Sequence, residues 1–555
     1  MNTVASILLS CEADGTAPAF QVQLDSYKEQ KSSLFQQFRP VRTKPIELTT
    51  KGEEIFVVSD LHIAAGRNKA GVYSGTENFF ADDSFYRFIK HSDRIKKTEK
   101  AILVINGDIF DFLRVTDYPG KVRKLRPARL LKNTLKLKSV SYSTNENTEA
   151  EYIEWMNELE KVGINKNRKQ LESSISDRER KYGLKTDHYK TIYKFIKIKN
   201  GHRSFFKALS EWMNSGNKII VLKGNHDLEL FWLAVRNYFR LIIAEGIVSI
   251  EPGKRVEEIL TKTVLPNITF IDDSVLIDKD FYVEHGHRYD KFCMILDNPV
   301  LDKIPAELNI PFGSFFNRYL INRIELFYPF IDNVRPSGNV LPILLRENFP
   351  LGLKILSHHI PLLFKMLFKN FRYVKFMLNK IFWFVLALML PALVLLFFNW
   401  SEIKNLPEHF SLLQKSGEIL TMIFEGAKSF LTLFLSYLLA RIVSWFQLNE
   451  PSSLDVYAKE RFKGTDYRIS TMGHTHNPGE YTFNVEGKER RFYNTGTWIP
   501  VVENSNAEIR EDKTYTFLHL QRDKDGKLQP AENGLLQRWN DDAERPDIQV
   551  LIQRK

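Results

Sequence analysis

The chain has 555 residues, of which 43% are hydrophobic and 26% are charged. This length and composition exclude a disordered or fibrous protein and predict more than one structural unit. The formal net charge of +11 implies an anionic partner, which can be nucleic acid, a phosphorylated substrate or an acidic membrane face, and two cysteines are too few for a disulfide framework.

Several short apolar runs rich in Ile, Val and Phe stop abruptly at polar residues. They are IFVVS (55–59), AILVI (101–105), KIIVL (218–222), FYVE (281–284) and RISTM (468–472). Runs of this length that are apolar on both faces predict buried strands in a sheet covered by helices. The predicted fold class is therefore α/β or layered α+β.

A long segment separates the second of these runs from the third. Between 113 and 139 it carries nine Lys and Arg residues, among them Arg114, Arg123 and Lys124, against the single acid Asp117. Such a segment binds a phosphate-rich headgroup or an anionic bilayer, or it is simply a solvated helix face. From Thr148 to Lys199 charges recur every three or four residues, which also predicts solvated helices. We expect residues 113–214 to form a cap that covers the functional site of the protein.

Residues 300–455 differ in composition from the rest of the chain. Ile381 to Phe398 contains eighteen residues without a charge, about the minimum for crossing a bilayer, and a shorter apolar run lies at 429–440. Lysines and arginines gather before the first run, whereas the stretch between the runs has three Lys against four Glu. The positive-inside rule then predicts that the parts of the chain on either side of this region lie on the cytoplasmic side of the cell membrane. With both parts on one side, the two apolar runs cross as a two-pass pair or lie in the interface. The alternative is a pair of buried core helices.

Each predicted strand ends in candidate metal ligands. The segments are DLH (60–62), GDIFD (107–111), GNHD (224–227), HGH (285–287) and GHTH (473–476). Taken singly, each has an ordinary explanation as a helix cap, a turn or a surface histidine. Together they supply more ligands than the four that one tetrahedral zinc takes. Two divalent ions fit the set better, since such a pair lowers the pKa of a bridging water and clamps oxygens at phosphorus.

The ordered series DLH, GDIFD, GNHD, HGH and GHTH resembles the signature of the calcineurin-like metallophosphoesterases. The resemblance covers about residues 53–112, 215–290 and 465–500, and YNTGTW (493–498) is similar to the closing segment of the family. It implies a two-sheet β-sandwich flanked by helices. The expected organisation is an N-terminal extension (1–50), a catalytic core (51–112, 215–299 and 456–555), a helical cap (113–214) and an apolar, membrane-associated helical insertion (300–455).

The resemblance also implies a role for each residue of the motifs. One metal would be held by Asp60, His62 and His476, the other by Asn225, His285 and His474, with Asp108 as the bridge. His226 would be the non-ligand histidine that stabilises the transition state or protonates the leaving oxygen, with Asp227 beside it as an orienting partner. Asp111 and His287 would hydrogen-bond the ligating side chains and so fix their orientation, without binding a metal themselves.

These observations predict a dimetal-dependent phosphoester hydrolase at the cytoplasmic membrane face. It would cleave a phosphorylated or pyrophosphate-linked lipid by attack of a metal-bridging hydroxide, with Arg114, Arg123 and Lys124 as candidate substrate-binding residues. Oxygen and imidazole ligands admit Mn, Fe, Zn or Mg. The alternatives are an anchored phosphodiesterase or nuclease acting on soluble substrates, with nucleic acid as the partner of the nuclease, and a non-catalytic membrane scaffold that retains the metal site.

Overall fold

The computed structural model describes residues 3–10, 44–120, 123–124, 141–142, 145–290, 292–294, 300–301, 304–325, 333–335, 345–346, 349–354, 357, 453–503 and 508–548. The chain divides into two compact units. Unit 1 comprises 1–31, 39–335 and 450–555 and contains all the predicted site residues; unit 2 comprises 32–38 and 336–449.

The described strands are Ile46–Leu48 (β1), Glu54–Val58 (β2), Ala101–Asn106 (β3), Arg123–Lys124 (β4), Ser141–Tyr142 (β5), Lys218–Leu222 (β6), Ile268–Ile271 (β7), Ser274–Ile277 (β8), Phe281–Glu284 (β9), Val300–Leu301 (β10), Ile304–Leu308 (β11), Val334–Arg335 (β12), Ile469–Met472 (β13), Gly479–Val485 (β14), Lys488–Asn494 (β15), Val502–Glu503 (β16), Glu508–Ile509 (β17), Thr516–Arg522 (β18), Leu528–Pro530 (β19), Gln537–Asn540 (β20) and Arg545–Ile548 (β21).

Most of these strands form two mixed sheets. The first has the order β21-β20-β18-β2-β3-β6-β7, and within it β2, β3, β6 and β7 run parallel. The second has the order β1-β8-β9-β13-β15-β14, with β9, β13 and β15 parallel. The five apolar runs predicted as strands are β2, β3, β6, β9 and β13, so these strands and the α/β class are confirmed.

The two sheets share one apolar core, because strand residues alternate between faces. Ile55 and Val57 of β2 belong to a cluster that also contains Val283 of β9. Phe56 and Val58 point the other way and pack into a larger core built with helices. Every residue of β2 and β3 is buried, as expected for strands covered on both faces.

The described helices are Thr3–Ser10 (α1), Asp82–Ile95 (α2), Asn145–Lys161 (α3), Arg168–Ser173 (α4), Asp177–Tyr182 (α5), His188–Gly201 (α6), Arg203–Asn214 (α7), Leu233–Ile250 (α8), Val256–Ile259 (α9), Leu265–Asn267 (α10), Phe312–Phe316 (α11), Asn322–Glu325 (α12), Phe349–Lys354 (α13), Asp455–Phe462 (α14) and Ala531–Gly534 (α15).

Helices cover both sheets. Phe85 of α2, Phe195 of α6, Phe206 of α7 and Phe239 of α8 lie in the core on the outer face of the first sheet. In α2 the buried residues recur at three- and four-residue spacing, which explains why one face of this helix enters the core. Phe462 of α14 packs with Tyr282 and Phe492 of the second sheet. The helical structure predicted for 148–199 is confirmed by α3 to α6, but most of α6 is buried, so the predicted solvated face is wrong for that helix.

The apolar runs at 381–398 and 429–440, on which the membrane prediction rests, lie outside the described residues. Within the part of the chain that the structure describes, no helix combines the length and apolarity needed to cross a membrane. Residues 300–335, which the sequence assigned to the membrane-associated insertion, belong to unit 1.

Candidate metal centre

All five motifs follow the carboxyl ends of parallel strands, where the two sheets approach each other. DLH follows β2, GDIFD follows β3 and GNHD follows β6 in the first sheet, while HGH follows β9 and GHTH follows β13 in the second. The carboxyl edge of parallel strands is the usual position for ligand sites in open α/β sheets. The strand order therefore brings together side chains that are more than 400 residues apart in sequence.

Backbone hydrogen bonds hold these loops in register. The N–H of His62 donates to the carbonyl of Asp108 at 2.8 Å, and the N–H of Ile63 donates to Ile109 at 3.0 Å. Across the sheets, the N–H of Gly473 donates to the carbonyl of His285 at 2.9 Å, and the Asn106 side-chain amide donates to the carbonyl of Glu284 at 3.0 Å. The ligands are thus positioned by main chain as well as by packing.

The first ligand group consists of Asp60, His62 and His476, whose ligand atoms lie within 4.8 Å of one another. The Nε2 atoms of the two histidines are 2.9 Å apart, and Asp60 Oδ1 lies 3.3 Å from that of His476. Nitrogen ligands about 2.0 Å from one ion lie about 3 Å from each other, so this spacing fits a shared cation. All three side chains are buried.

The second group consists of Asp108, His285 and His474. His285 Nδ1 lies 2.8 Å from the carbonyl oxygen of Asn106, to which it donates, so its Nε2 is turned toward Asp108 Oδ2 at 3.1 Å. Neither His285 Nε2 nor Asp108 Oδ2 has a hydrogen-bond partner, and the buried Oδ1 of Asn225 has none either. Buried polar atoms normally take part in hydrogen bonds. Three buried atoms that can ligate a metal but have no hydrogen-bond partner therefore indicate a cation site.

Asp108 is placed to serve both groups. Its Oδ2 is 3.1 Å from His285 Nε2 and 3.8 Å from His62 Nε2, which belong to different groups. Its Oδ1 accepts a hydrogen bond from the backbone N–H of His226 at 2.8 Å, which fixes the carboxylate between them. This geometry fits the bridging position expected for Asp108.

The charges at this site favour a cation. Burial alone would raise the pKa of Asp60 and of Asp108, but the neighbouring histidines, His285 first among them, outweigh it and lower both pKa values. Burial disfavours a charged His285, yet Asp108 and Asp60 raise its pKa to about 9. A metal ion and a proton therefore compete for the same nitrogen. Buried clusters of Asp and His in this protein can hold metal ions.

His226 lies beside both ligand groups and is oriented by Asp111. One ring nitrogen of His226 lies within 4.8 Å of ligand atoms of His62 and Asp108. Its Nδ1 lies 2.7 Å from Asp111 Oδ2, which leaves Nε2 as the nitrogen able to face a bound molecule. The side chain of His226 is 16% exposed, whereas that of Asp111 is only 1% exposed. Burial opposes ionisation of Asp111, but His226 outweighs it and lowers the pKa of this carboxyl well below its usual range. Asp111 also lies 3.9 Å from His62 Nδ1, so it supports both histidines.

Asp227 faces the backbone and not the open side of the site. Its Oδ1 accepts from the N–H of Gly224 at 2.6 Å, and its Oδ2 accepts from the N–H of Ile109 at 2.9 Å. Its side chain is fully buried, and burial followed by the charge of Asp108 raises its pKa to about 7. Asp227 therefore ties the GNHD loop to the GDIFD loop, and the contacts that orient His226 come from Asp111.

The remaining candidates are placed differently. His287 is buried, its ring centre lies 5.5 Å from that of His285, and burial lowers its pKa well below the usual value. Arg114 is 1% exposed and pairs with Glu325 at 2.5 Å, so its guanidinium is engaged inside the fold. For Arg123 and Lys124 the structure describes only the backbone of β4, and their proposed substrate contacts stay a prediction.

Five of the candidate ligands adopt a left-handed backbone conformation. They are Asp60, His62, Asp108, His474 and His476, with φ between 49° and 68°. Non-glycine residues seldom adopt this conformation, which costs of order 1 kcal/mol or more each and clusters at functional sites. The strain is maintained because the surrounding backbone hydrogen bonds fix these loops.

Two glycines of the motifs allow the loops to approach closely. A β-carbon at Gly224 would overlap the Asp108 carboxylate, and one at Gly473 would overlap that of Asp60. In both cases the obstructed atoms belong to a candidate ligand. The glycines of GNHD and GHTH are therefore required by space, which the sequence pattern alone does not reveal.

Three supporting contacts were not predicted from the sequence. Asp290 Oδ2 lies 3.3 Å from His474 Nε2, and Ser314 Oγ donates to the carbonyl of Asn225 at 3.1 Å. Thr497 Oγ1 of the predicted closing segment donates to the carbonyl of Asp60 at 2.7 Å. Asp290 follows HGH by three residues, so the sequence could have suggested it as a carboxylate close to the histidine ligands. Ser314 had none, because it lies 89 residues from Asn225.

No protein-family model matches the chain, and no curated protein matches it.

Proposed function

We propose that this protein is a dimetal-dependent phosphoester hydrolase of the calcineurin-like type. The observation that carries the proposal is the set of buried Asp and His groups whose ligand atoms lie within 4.8 Å of one another. Among the candidate ligand atoms, Asp108 Oδ2, Asn225 Oδ1 and His285 Nε2 have no hydrogen-bond partner. A structural zinc site would close with four ligands and would not need the longer set assembled from five loops. Further support comes from His226, a histidine beside the ligands that is oriented by the carboxylate of Asp111.

The residues present fit two ions. Asp60, His62 and His476 would hold one, Asn225, His285 and His474 would hold the other, and Asp108 would contact both. Two divalent ions at such a centre lower the pKa of a shared water and stabilise the negative charge that develops on phosphoryl oxygens. The mixed oxygen and nitrogen ligands are compatible with Mn, Fe, Zn or Mg.

His226 would act on the substrate itself. Asp111 fixes the Nδ1–H tautomer or stabilises the imidazolium, so that Nε2 can donate a hydrogen bond to a phosphoryl oxygen or a proton to the leaving oxygen. The partial exposure of His226 gives it access to a bound molecule, while Asp111 stays buried. Asp227 contributes by holding the loop that carries both Asn225 and His226.

The proposed substrate is a phosphorylated or pyrophosphate-linked lipid at the cytoplasmic face of the membrane. The net charge of +11 and the apolar runs in 336–449, each flanked by basic residues, support a location at an anionic lipid surface. An enzyme bound at the membrane surface meets substrates whose headgroups lie at the edge of the bilayer.

The test is hydrolysis by the full-length, detergent-solubilised protein with added Mn²⁺. A bacterial lipid extract is compared with water-soluble diesters and short nucleic acids. Asp108→Ala removes the carboxylate expected to bridge the ions. Asp466→Ala is the matched control because Asp466 is exposed and its carboxylate pairs with Lys488 at the surface. Lipid turnover that Asp108→Ala abolishes and Asp466→Ala retains supports the proposal.

Two other outcomes would contradict parts of the proposed function. Cleavage restricted to soluble diesters or nucleic acids would make the apolar segment an anchor and contradict the lipid substrate. Two bound ions without turnover of any phosphoester would contradict the hydrolase and favour a scaffold that keeps the metal site.

A further inference from the structure

A third group of ligand-type side chains lies beside His474. The ligand atoms of Asp290, Cys293 and His474 all lie within 4.8 Å of one another. Asp290 is only 2% exposed, whereas Cys293 and His474 are partly exposed, so that a solvated ion can reach them. Cys293 is not in a disulfide, and its thiol hydrogen-bonds the carboxylate of Asp290, so a cation here would replace the thiol proton.

A tight turn after the HGH motif brings Asp290 and Cys293 together. The carbonyl of Asp290 accepts from the N–H groups of Cys293 at 3.1 Å and Met294 at 3.0 Å, and its Oδ1 accepts from the N–H of Phe292 at 2.8 Å. These bonds bring Asp290 and Cys293 close to each other, with their ligand atoms within 4.8 Å. The turn is built from backbone contacts and needs no ion to form.

The start of α11 closes the other side of the thiol. The N–H of Gly313 donates to the carbonyl of Phe292 at 2.8 Å, and a β-carbon at Gly313 would lie 3.4 Å from the sulfur of Cys293. The sulfur is therefore held between the turn and the helix, on the side where Asp290 and His474 lie.

The chemistry of this group differs from that of the dimetal centre. A thiolate, an imidazole nitrogen and a carboxylate oxygen are the three kinds of ligand that Zn²⁺ takes in proteins, and three protein ligands leave a position for water. Thiolate selects Zn²⁺ and other soft ions, whereas sites made of oxygen and imidazole also accept Mn²⁺ and Mg²⁺. The third group therefore favours a thiophilic cation more strongly than the dimetal centre does.

We propose that Asp290, Cys293 and His474 form a separate binding position for a thiophilic divalent cation, Zn²⁺ or Cd²⁺, which shares His474 with the dimetal centre. This inference concerns binding and does not depend on the proposed hydrolytic reaction. His474 Nε2 faces Asp290 at 3.3 Å, which leaves Nδ1 for the dimetal centre. When both ring nitrogens hold ions, the imidazole must release its N–H proton to solvent, so each ion weakens the binding of the other. Where the protein hydrolyses a phosphoester, Zn²⁺ in excess over the two resident ions inhibits it.

The direct test is Cd²⁺ binding to the full-length protein, followed by the ultraviolet absorbance that a thiolate gives when it ligates Cd²⁺. Cys293→Ser keeps the size and removes the sulfur. Cys11→Ser is the matched control, since Cys11 is the only other cysteine in the sequence. We expect the absorbance in the wild type and in Cys11→Ser, and its loss in Cys293→Ser with affinity reduced more than about 100-fold. Equal absorbance in Cys293→Ser would overturn the site.

A second measurement tests the sharing of His474. Cd²⁺ is titrated into protein stripped of metal and into protein saturated with Mn²⁺. We expect Mn²⁺ to weaken Cd²⁺ binding by about tenfold or more, by the reciprocity of linked sites. Equal Cd²⁺ affinity in both titrations would overturn the shared ligand. Asp290→Asn, which retains the fold of the turn through its remaining amide oxygen, should weaken Cd²⁺ binding as well; unchanged binding would exclude Asp290.

Discussion

Two buried clusters of histidine and carboxylate in unit 1 differ in how their polar atoms are paired. One is the metal centre, and the other consists of His202, Glu77 and Asp82. Both place an imidazole between carboxylates in the interior. Only in the metal centre are ligand atoms left without hydrogen-bond partners.

In the second cluster the protein itself satisfies the histidine. His202 Nδ1 lies 3.0 Å from Asp82, and its Nε2 lies 3.1 Å from Glu77. Glu77 also accepts from the N–H groups of Gly66 at 2.6 Å and Phe79 at 2.9 Å. This cluster therefore fixes the loop between DLH and α2, and it has no position for an ion.

The comparison shows that residue type and burial do not by themselves define a metal site. Between these two clusters, the difference is whether the lone pairs of the ligand-type atoms are already used in hydrogen bonds. Glu77 and His202 use theirs on each other and on backbone, whereas Asp108 and His285 direct theirs at the same point without forming a hydrogen bond. Changes at the two clusters should accordingly affect different properties of the protein.

The largest effect is expected for Asp108→Ala. Removing the carboxylate that serves both groups should lower the bound metal from two ions to one or none and reduce hydrolysis by at least about 10⁴-fold. Metal content by elemental analysis and kcat by phosphate release are the measurements. Glu77→Gln is the control, because it changes a buried carboxylate at the other cluster and should keep two ions. Equal metal content in Asp108→Ala and the wild type would contradict the assignment.

His226→Gln should separate catalysis from metal binding. Because His226 Nδ1 is held by Asp111, the substitution should leave the metal content unchanged and lower kcat by about 10²–10⁴-fold, the usual contribution of general acid catalysis. The pH profile of kcat should lose one limb. Loss of an ion in this variant would show that His226 is a ligand and not an acid.

At the second cluster, His202→Gln should change stability and its dependence on pH. Burial disfavours the charged imidazole, but Glu77 and Asp82 raise the pKa of His202 from 6.5 to about 9. The folded pKa is above the unfolded one, so this stabilisation is fully present below pH 6.5 and is lost as pH rises through 9. We expect the variant to lose about 3 kcal/mol of unfolding free energy at about pH 6 and much less at about pH 10.

Denaturant unfolding at both pH values measures this difference, with metal content as the second readout. A constant difference between wild type and variant across the pH range would refute the charged state of His202. Loss of bound metal in a folded His202→Gln variant would remove the distinction between the two clusters.

The smallest effect is expected for Asp111→Asn. The amide can still accept from His226 but no longer stabilises its charged form, so kcat should fall by about tenfold to 100-fold with two ions retained. His226→Gln combined with Asp111→Asn should cost little more than His226→Gln alone, because the two residues act as a unit. If the two substitutions lower kcat independently, so that their effects on the activation free energy add in the double variant, Asp111 acts through another residue, such as His62.

Much of the site was predictable because its signals are local. A buried strand followed within three residues by Asp, His or Asn is visible in a short segment, and β2, β3, β6, β9 and β13 all end in this way. The parallel direction of neighbouring strands then places their ends together. The contacts that were missed join distant segments: Arg114 pairs with Glu325, and Ser314 bonds the carbonyl of Asn225. No periodicity links such residues, so sequence reasoning had no means of finding them.

The role of Asp227 shows the same limit within a single motif. From the sequence it was adjacent to His226 and was expected to orient that residue, but the turn directs its carboxylate to the N–H groups of Gly224 and Ile109. Adjacent residues in a tight turn point in different directions, so nearness in sequence is a poor guide to contact there.

The sequence by itself determined the strands and the kinds of ligand at their ends, because a hydrophobic run and the residue types that follow it can be recognised within a short segment. The tertiary structure decided which atoms are left unpaired for a cation, which carboxylate orients His226, and which groups, such as His202 with Glu77, complete each other. These outcomes depend on distances of a few ångströms between segments far apart in the chain, and only folding sets those distances.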